Sequence, residues 1–212
     1  MDIALRAATA GDADAIRRVL GPEPSEEQLG MAGGNAVRAR AFRALVNERI
    51  TAPDLLARTT VAVAQGIVVG MLQCGAEAGD AITVRLALGV IGIFGVGLPA
   101  FLRRNALRAR VAIAPPDGAL HIAELHVAAE RRNAGIGRVL LEEAERTAQR
   151  AGARTMSLTT ATNNPARRLY ERFGFALVAT RTDPAYEALT GVSGRVLMVK
   201  PIDRVSRPPA SP

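Results

Sequence analysis

The sequence predicts a mixed α/β fold of the α+β type, in which one central sheet of about six to seven strands is flanked by helices. Two short runs rich in β-branched residues surround Gln65 and Gly66, a pattern typical of a β-hairpin. The second half of the chain alternates strand-like and helix-like segments. Hydrophobic residues make up 49% of the 212 residues, so the chain can bury a sizeable core.

The first half begins with an alternating strand, DIALRAAT, and a short helix, AGDADAIRRVL, for which Asp12 is the expected N-cap. The next stretch, GPEPSEEQLGMAGGN, is rich in glycine and proline and is predicted to be a loop. A predicted helix, AVRARAFRALVNERI, follows, and then the hairpin TTVAVAQGIVVGMLQC. These segments supply the first three strands of the sheet.

The second half begins with the strand ALHIAELHV. In the helix behind it, Ile136, Leu140 and Ala144 recur at helical spacing. The strand TMSLTTAT and the short helix NPARRLYERFG come next, with Pro165 in the first turn of that helix. The segments FALVATRT and GRVLMVKPI are two closing strands, and residues 203–212 have the composition of a disordered tail.

An apolar segment, LALGVIGIFGVGLPAFL, occupies residues 86–102 between Arg85 and Arg103. It carries no charge, and its length is at the lower limit of about 17–25 residues for a membrane-spanning helix. Four glycines and Pro99 argue against a spanning helix. The basic stretch RRNALRAR follows and resembles the flank of a membrane segment.

Charge and cysteine content restrict the functional class. The formal net charge is +7, and Lys200 is the only lysine, so the positive charge is mostly arginine. Arginine suits the phosphates of nucleic acid or of a phosphorylated small molecule, although the genome's composition is an alternative explanation. Cys74 is the only cysteine, which excludes an intrachain disulfide, and two histidines with one cysteine cannot form a conventional zinc site. Because of this shortage of histidine and cysteine, we expect no bound metal. No signal peptide is visible at the start, so we expect a cytoplasmic protein.

A glycine-containing turn precedes the best-defined helix. Gly135 and Gly137 would leave room for a ligand beside free backbone N–H groups at a helix N-terminus, an arrangement that binds anions. The expected ligand is a phosphate or pyrophosphate. A P-loop is excluded because Arg138 and Val139 stand where lysine and then serine or threonine are needed. A dinucleotide fingerprint is excluded because Leu140 replaces its third glycine.

The remaining motif is Arg132-x-x-Gly135-x-Gly137, after a strand that ends at Val127. It resembles the pyrophosphate-binding motif of the GNAT superfamily of acyl-CoA-dependent N-acyltransferases. The resemblance implies the GNAT fold, a mixed sheet flanked by helices. It also implies that acyl-CoA is the donor of the transferred group.

The downstream segment TTATNNPARRLYERFGF resembles the next signature of this family, with Asn163 seven residues before Tyr170. The resemblance is strongest over residues 120–175 and weaker toward both ends. It implies a single domain over residues 1–202. The chain departs from the family at residues 80–114, which form a longer connection between the third and fourth strands and are expected to be a helical insertion.

The resemblance implies that acetyl-CoA is the cosubstrate and that its pyrophosphate binds the turn. The residues expected there are Arg132, Asn133, Ala134, Gly135, Ile136, Gly137 and Arg138. In the family, main-chain groups at the end of the preceding strand, here Leu125, His126 and Val127, pair with the pantetheine arm. Asn163 either contacts the cofactor or caps the helix after it, because asparagine is a favoured N-cap.

Two residues are the candidates for proton transfer. Tyr170 matches the general acid of the family, which protonates the departing thiolate of coenzyme A; packing in the core is its alternative role. Glu124 is a carboxylate in an otherwise apolar strand, where it is costly unless it is paired or functional. It is our candidate for the base that deprotonates the amine, with an ion pair to an arginine as the alternative. His121 in the same strand is the second candidate base.

The resemblance therefore predicts an N-acetyltransferase that transfers an acetyl group from acetyl-CoA to a primary amine by direct attack in a ternary complex. Two alternatives are a coenzyme A-binding protein of the same fold without catalysis and an arginine-rich nucleic-acid-binding protein. Aromatic residues are only 3% of the chain, too few to favour base stacking, and we expect no nucleic-acid partner. The amine is not determined, and a homodimer is compatible with the sequence.

The family resemblance also bears on the apolar run at 86–102. In the GNAT fold the strands on either side of the insertion are neighbours in one sheet, so a single crossing of a membrane is excluded. We expect residues 80–114 to be largely helical and to cover the acceptor side of the cleft or to contact a second subunit. A peripheral membrane contact is the remaining alternative.

Overall fold

The computed structural model describes residues 2–75 and 83–202. The predicted tail at 203–212 and the first residues of the predicted insertion, 80–82, lie outside the described residues. Within the described ranges one sheet contains seven strands: β1 (Ala4–Ala7), β2 (Thr59–Ala64), β3 (Ile67–Cys74), β4 (Leu120–Val127), β5 (Thr155–Ala161), β6 (Ala176–Thr182) and β7 (Gly194–Pro201).

The helices of the described ranges are α1 (Ala13–Leu20), α2 (Glu26–Met31), α3 (Ala36–Ile50), α4 (Pro53–Leu56), α5 (Val84–Phe94), α6 (Leu98–Val111), α7 (Ile136–Arg150), α8 (Arg167–Arg172) and α9 (Pro184–Thr190). Helices α5 and α6 lie between the third and fourth strands, so the predicted helical insertion is confirmed. The strands and helices that were predicted on either side of the insertion are also present.

The strand order in the sheet is β1-β2-β3-β4-β5-β7-β6. Neighbouring strands are antiparallel except β4 and β5, which are parallel. The β2–β3 hairpin turns at Gln65 and Gly66, whose φ angles of 51° and 75° fit the type I′ turn that a two-residue hairpin prefers. The predicted fold class, a mixed sheet of six to seven strands, is confirmed.

Three short helices, α2, α4 and α9, were missing from the sequence prediction, and side chains cap two of them. The predicted loop after α1 contains α2, whose N-terminus is closed by a capping box between Ser25 and Gln28. The segment between β6 and β7 contains α9, which Asp183 caps by accepting a hydrogen bond from the Tyr186 N–H at 2.9 Å. In both cases side chains satisfy the free N–H groups of the first turn.

The cap predicted at Asp12 has a different role. Asp12 precedes α1, but its carboxylate makes no hydrogen bond to that helix. It accepts two hydrogen bonds from the Arg6 guanidinium at 2.7 Å, and two more from the Thr9 N–H and hydroxyl at 2.8 Å. Asp12 therefore ties β1 to the turn that leads into α1.

The sheet is covered on both faces. Helices α7 and α8 pack on one face, where Leu140, Leu141 and Ala144 of α7 are fully buried. The opposite face packs against α1, α3 and α4 through a cluster that includes Ile16 and Ile50. The central strands are therefore held between two apolar layers, which fixes the positions of the strand ends.

The insertion bends back on itself. Helix α5 ends at Phe94, and Gly95 has a φ of 48° that interrupts the helix before α6 begins. Because of this bend, the rings of Phe94 and Phe101 stack with centroids 4.0 Å apart, and Phe42 of α3 meets both rings edge-on. Helix α5 packs against α3, and α6 packs against α2, α9 and β6.

By length and composition, the segment Val84–Val111 is apolar enough to cross a membrane. Its two ends, however, lead to β3 and β4, which are paired neighbours in the sheet. A single crossing would separate these strands. Between residues 84 and 101, only Phe94 and Phe101 are buried, so the segment is not a typical core helix either.

Candidate active site

A cleft opens where the two parallel strands separate. The strands pair at three positions: Leu120 with Met156, His121 with Ser157 and Ile122 with Leu158. Beyond these pairs, Glu124–Val127 of β4 remains bonded to β3, but its edge toward β5 has no strand partner. The cleft therefore lies at the carboxyl ends of parallel strands, a common place for a ligand.

A β-bulge in β4 decides which side chains face the cleft. Gln73 of β3 opposes Glu124, whereas Cys74 opposes Ile122, so Ala123 is an extra residue in β4. An extra residue reverses the alternation of side chains along a strand. Glu124 therefore leaves the face that Ile122 shares with α7, and a charged residue is kept out of the core on that side.

Glu124 and His126 form a pair after this bulge. Leu125 and Val127 pack against the core under α7, so Glu124 and His126 face the other side of the sheet. Oε2 of Glu124 lies 2.7 Å from Nε2 of His126, and the two side chains are 33% and 31% exposed. A hydrogen-bonded carboxylate and imidazole that remain open to solvent can accept a proton from a ligand.

Tyr170 of α8 is buried, with 7% exposure, and Phe175 packs edge-on against its ring at 6.1 Å. Burial, with a smaller contribution from the negative charge of Glu124, raises the pKa of Tyr170 to about 12. The phenol therefore keeps its proton at neutral pH. The electrostatic interaction between Glu124 and Tyr170 also indicates that these two residues lie near each other.

Arg43 is a second residue that interacts with Glu124, and no sequence motif pointed to it. Arg43 of α3 donates hydrogen bonds to the carbonyls of Leu20 and Gly21, at 2.5 and 3.4 Å. Burial lowers the pKa of Arg43, and the charge of Glu124 opposes that shift. This cation gives Glu124 a favourable electrostatic partner without a direct ion pair.

The second candidate base, His121, has a different environment. It is 3% exposed, and its Nδ1 lies 3.0 Å from the Ser157 hydroxyl. It belongs to the part of β4 that is paired with β5, before the cleft opens. A buried imidazole in a closed ladder exchanges protons with a ligand less easily than the open Glu124–His126 pair does.

The predicted anion-binding turn has free donors. In the part of the chain that the structure describes, the backbone N–H groups from Asn133 to Gly137 donate to no protein acceptor. Asn133 and Gly135 have positive φ angles of 62° and 82°, which curl the chain at the start of α7. A Cβ at Gly135 would meet no protein atom within 4 Å, so the space beside it is open. The turn can therefore bind an anion at a helix N-terminus.

Gly137 also has a packing role within the protein. A Cβ at this position would come within 2.8 Å of Cδ2 of Leu169 on α8. The small size of Gly137 therefore allows α7 and α8 to pack closely, and its expected contact with a ligand stays a prediction. Leu125, His126 and Val127 lie at the open edge of β4, and Arg132 and Arg138 lie at the turn, where Arg138 pairs with Glu142 at 3.0 Å.

The two asparagines before α8 have separate roles. Asn164 accepts a hydrogen bond from the Ala166 N–H at 2.9 Å and donates to the Thr160 hydroxyl at 2.6 Å. The local bonding expected of a capping residue is therefore made by Asn164. Asn163 is exposed and lines an open cavity of about 530 Å³ together with Arg167 and Arg168. This arrangement leaves the Asn163 side chain available to a ligand.

Comparison with known proteins agrees with this geometry. The model of the acetyltransferase (GNAT) family matches residues 37–175, well over half of the chain. The chain belongs to the GNAT acetyltransferase family. The matched region contains the bulged strand, the glycine turn and Tyr170. No significant sequence match to a curated protein was found.

Solved structures of GNAT proteins resemble the whole described fold. The PaiA N-acetyltransferase of Thermoplasma acidophilum, solved with coenzyme A, is 14% identical with a TM-score of 0.57, over 95% of this chain and 99% of that one. The ribosomal-protein-S18-alanine N-acetyltransferase of Escherichia coli is 13% identical with a TM-score of 0.54, over 99% of each chain. The N-acetylglutamate synthase of Neisseria gonorrhoeae, solved with coenzyme A and N-acetyl-glutamate, is 12% identical with a TM-score of 0.53. The match covers 96% of this chain and 36% of that one. At such identities the likeness shows the fold alone.

Proposed function

We propose that this GNAT protein transfers an acetyl group from acetyl-CoA to a primary amine. The observation that carries the proposal is the row of five backbone N–H groups at Asn133–Gly137, which donate to no acceptor among the described residues and follow the open edge of β4 that carries Glu124. Such donors suit a pyrophosphate. The structures of the PaiA protein and the N-acetylglutamate synthase contain coenzyme A, which supports this choice of ligand.

The donor would lie along the open edge of β4. The pyrophosphate accepts hydrogen bonds from the turn, with Arg132 and Arg138 nearby to balance its charge. The pantetheine arm pairs with the main chain of Leu125–Val127, and Asn163 meets it from the β5 side. The thioester then reaches the cleft next to Glu124, where a backbone N–H near Val127 stabilises the developing oxyanion.

Glu124 would prepare the amine for attack. A primary amine is mainly an ammonium ion at neutral pH and must lose one proton before its nitrogen can attack. The Glu124–His126 pair accepts this proton and passes it to solvent through its exposed side. The neutral amine then attacks the thioester carbonyl, and a tetrahedral intermediate forms. The same pair accepts the second proton that the nitrogen loses.

Tyr170 would act on the leaving group. When the intermediate collapses, the carbon–sulfur bond breaks and a thiolate forms. Tyr170 donates its proton to this sulfur, so that the products are an amide and free coenzyme A. The phenolate then regains a proton from solvent, to which the Glu124–His126 pair releases the proton of the nitrogen. Because its pKa is about 12, the phenol is fully protonated when the thioester binds. Its proton is best transferred as the negative charge builds up on sulfur, rather than before the bond breaks.

The proposal can be tested by measuring free thiol release from acetyl-CoA with a panel of small amines, amino acids and peptides. Release that depends on the amine, with acetylated product identified by mass spectrometry, is the expected result. Tight binding of coenzyme A by calorimetry without turnover of any amine would instead indicate a non-catalytic coenzyme A-binding protein. Absence of coenzyme A binding would contradict the whole proposal.

A further inference from the structure

The outward face of the insertion is apolar and exposed. We call the following exposed residues of α5, α6 and the bend between them the insert stripe: Val84, Leu88, Ile91, Val96 and Leu102. The exposure of these residues ranges from 49% at Ile91 to 100% at Val96. Val84, Leu88 and Ile91 follow helical spacing along one side of α5. Several large exposed apolar side chains on one segment usually indicate contact with a partner.

The protein's own core does not need this face. The inward side of the insertion is already occupied by the stacked rings of Phe94 and Phe101 and by Phe42. Helix α5 also approaches α3 so closely that a Cβ at Gly89 would come within 2.8 Å of the Leu45 side chain. The stripe lies outside these contacts, and none of the other described residues covers it.

The charged residues of the insertion itself are all positive, although acidic residues of other elements contact three of them: Glu48 contacts Arg85, Glu27 contacts Arg108 and Asp183 contacts Arg110. Residues 83–116 contain no aspartate or glutamate but five arginines: Arg85, Arg103, Arg104, Arg108 and Arg110. Arg85 lies next to Val84 and its side chain is 83% exposed, although it contacts Glu48 at 2.9 Å. Arg103 lies next to Leu102, is exposed and forms no ion pair among the described residues. The stripe is thus flanked by cations at both ends.

This charge pattern distinguishes between candidate partners. In a two-fold symmetric dimer the same patch meets itself, so Arg85 and Arg103 of each copy would be brought toward the arginines of the other. An anionic lipid surface instead offers phosphates for the arginines and an acyl region for the apolar side chains. Because the insertion bends at Gly95 and both of its ends are attached to the sheet, it can lie on such a surface but cannot cross it in a single span.

We infer that the insert stripe docks this protein on the surface of an anionic membrane. The apolar side chains of the stripe enter the boundary between headgroups and acyl chains, with Val96 at the bend entering most deeply. Arg85 and Arg103 contact lipid phosphates. The interaction is independent of coenzyme A and of the cleft.

Flotation of the full-length protein with vesicles tests the inference. We expect binding to vesicles of phosphatidylcholine with about 30% phosphatidylglycerol to exceed binding to pure phosphatidylcholine by at least about tenfold at about 0.1 M salt. The double variant Leu88→Glu/Ile91→Glu should lose at least about tenfold of this binding. The control is Ile67→Glu at the β2–β3 hairpin, because Ile67 is 61% exposed and Leu88 is 62% exposed. Equal binding by the two variants would overturn the inference.

A second measurement does not depend on charged substitutions. In a Cys74→Ser background, Val96→Cys provides a single exposed thiol for an environment-sensitive fluorophore. A blue shift with anionic vesicles, absent from an Ile67→Cys label, is expected. Light scattering tests whether the partner is a second copy of this chain. If the unmodified protein is a dimer that does not bind vesicles, and Leu88→Glu/Ile91→Glu dissociates this dimer, the partner is a second subunit and the inference is contradicted.

Discussion

Oε2 of Glu124 lies 2.7 Å from Nε2 of His126, and the extra residue Ala123 just before them in β4 decides which face of the sheet this pair occupies. The bulge turns Glu124 away from the α7 face that Ile122 occupies. Both members of the pair remain about one-third exposed beside the open edge of the cleft. The pair is therefore placed to relay a proton between an amine and solvent, and its two members can be tested separately.

Glu124→Gln should lower kcat/KM for the amine by about 10²–10³-fold, because glutamine keeps the shape but cannot accept the ammonium proton. Affinity for acetyl-CoA should be unchanged. Steady-state kinetics at saturating acetyl-CoA should show the loss in kcat/KM, and calorimetry should show the unchanged affinity. Glu23→Gln, at an exposed carboxylate that contacts Arg40 at 3.4 Å, is the control and should be silent. If Glu124→Gln keeps a normal kcat/KM and His126→Gln loses it, the base is His126.

Tyr170→Phe should lower kcat by about 10²-fold and leave coenzyme A affinity nearly unchanged, since the ring and its packing on Phe175 are kept while the proton is lost. Because burial raises the pKa of Tyr170 to about 12, deprotonation of this residue should not produce an alkaline fall in rate below about pH 10. The matched control is Tyr186→Phe, at the other tyrosine of the chain, which is fully buried in the cluster under α6 and α9. Normal turnover by Tyr170→Phe would reduce Tyr170 to a packing residue.

Gly135→Ala should weaken coenzyme A binding by about tenfold, because a Cβ would enter the open space beside the free N–H groups. The control is Gly152→Ala at the other end of α7. Gly152 also has a positive φ, 66° against 82° for Gly135, and a Cβ added there would likewise meet no protein atom within 4 Å. Both variants should lose about 1 kcal/mol of unfolding free energy from backbone strain. Calorimetry that gives equal coenzyme A affinities for the two would show that Gly135 serves the fold alone.

The sequence predicted the elements that have a clear periodicity. The alternating strands and the apolar spacing of α7 leave a pattern that is strong enough to read. Helices α2 and α9 are only 6 and 7 residues long, too short for a clear 3.6-residue period, although Ser25 with Gln28 and Asp183 with Pro184 are recognisable start signals. These helices depend on packing against each other and on α6.

The candidate site was only partly predictable for a related reason. The motif located the turn and Tyr170, but the bulge at Ala123 has no distinctive residue type, so the face of Glu124 was not determined. The proximity of Arg43 to Glu124 joins two distant segments of the chain and needs the folded structure. Adjacent asparagines also made it ambiguous which of them bonds the turn before α8, and the structure shows that Asn164 accepts the Ala166 N–H.

The attachment of β1 through Asp12 contributes to stability and lies apart from the residues proposed for catalysis. The Asp12 carboxylate is buried and accepts hydrogen bonds from Arg6 and Thr9, which hold the pKa of Asp12 well below its usual range. Asp12→Asn should therefore lower the unfolding free energy by about 2 kcal/mol at neutral pH. A depressed folded-state pKa gives stability that is present above the unfolded-state pKa of about 4 and is lost as the pH falls below it. The difference between the two proteins in urea denaturation should accordingly narrow by about 1 kcal/mol at about pH 3. Asp14→Asn, at a carboxylate that is 80% exposed beside Arg17, should show neither effect. A constant difference between pH 7 and pH 3 would mean that Asp12 contributes through packing rather than through its charge.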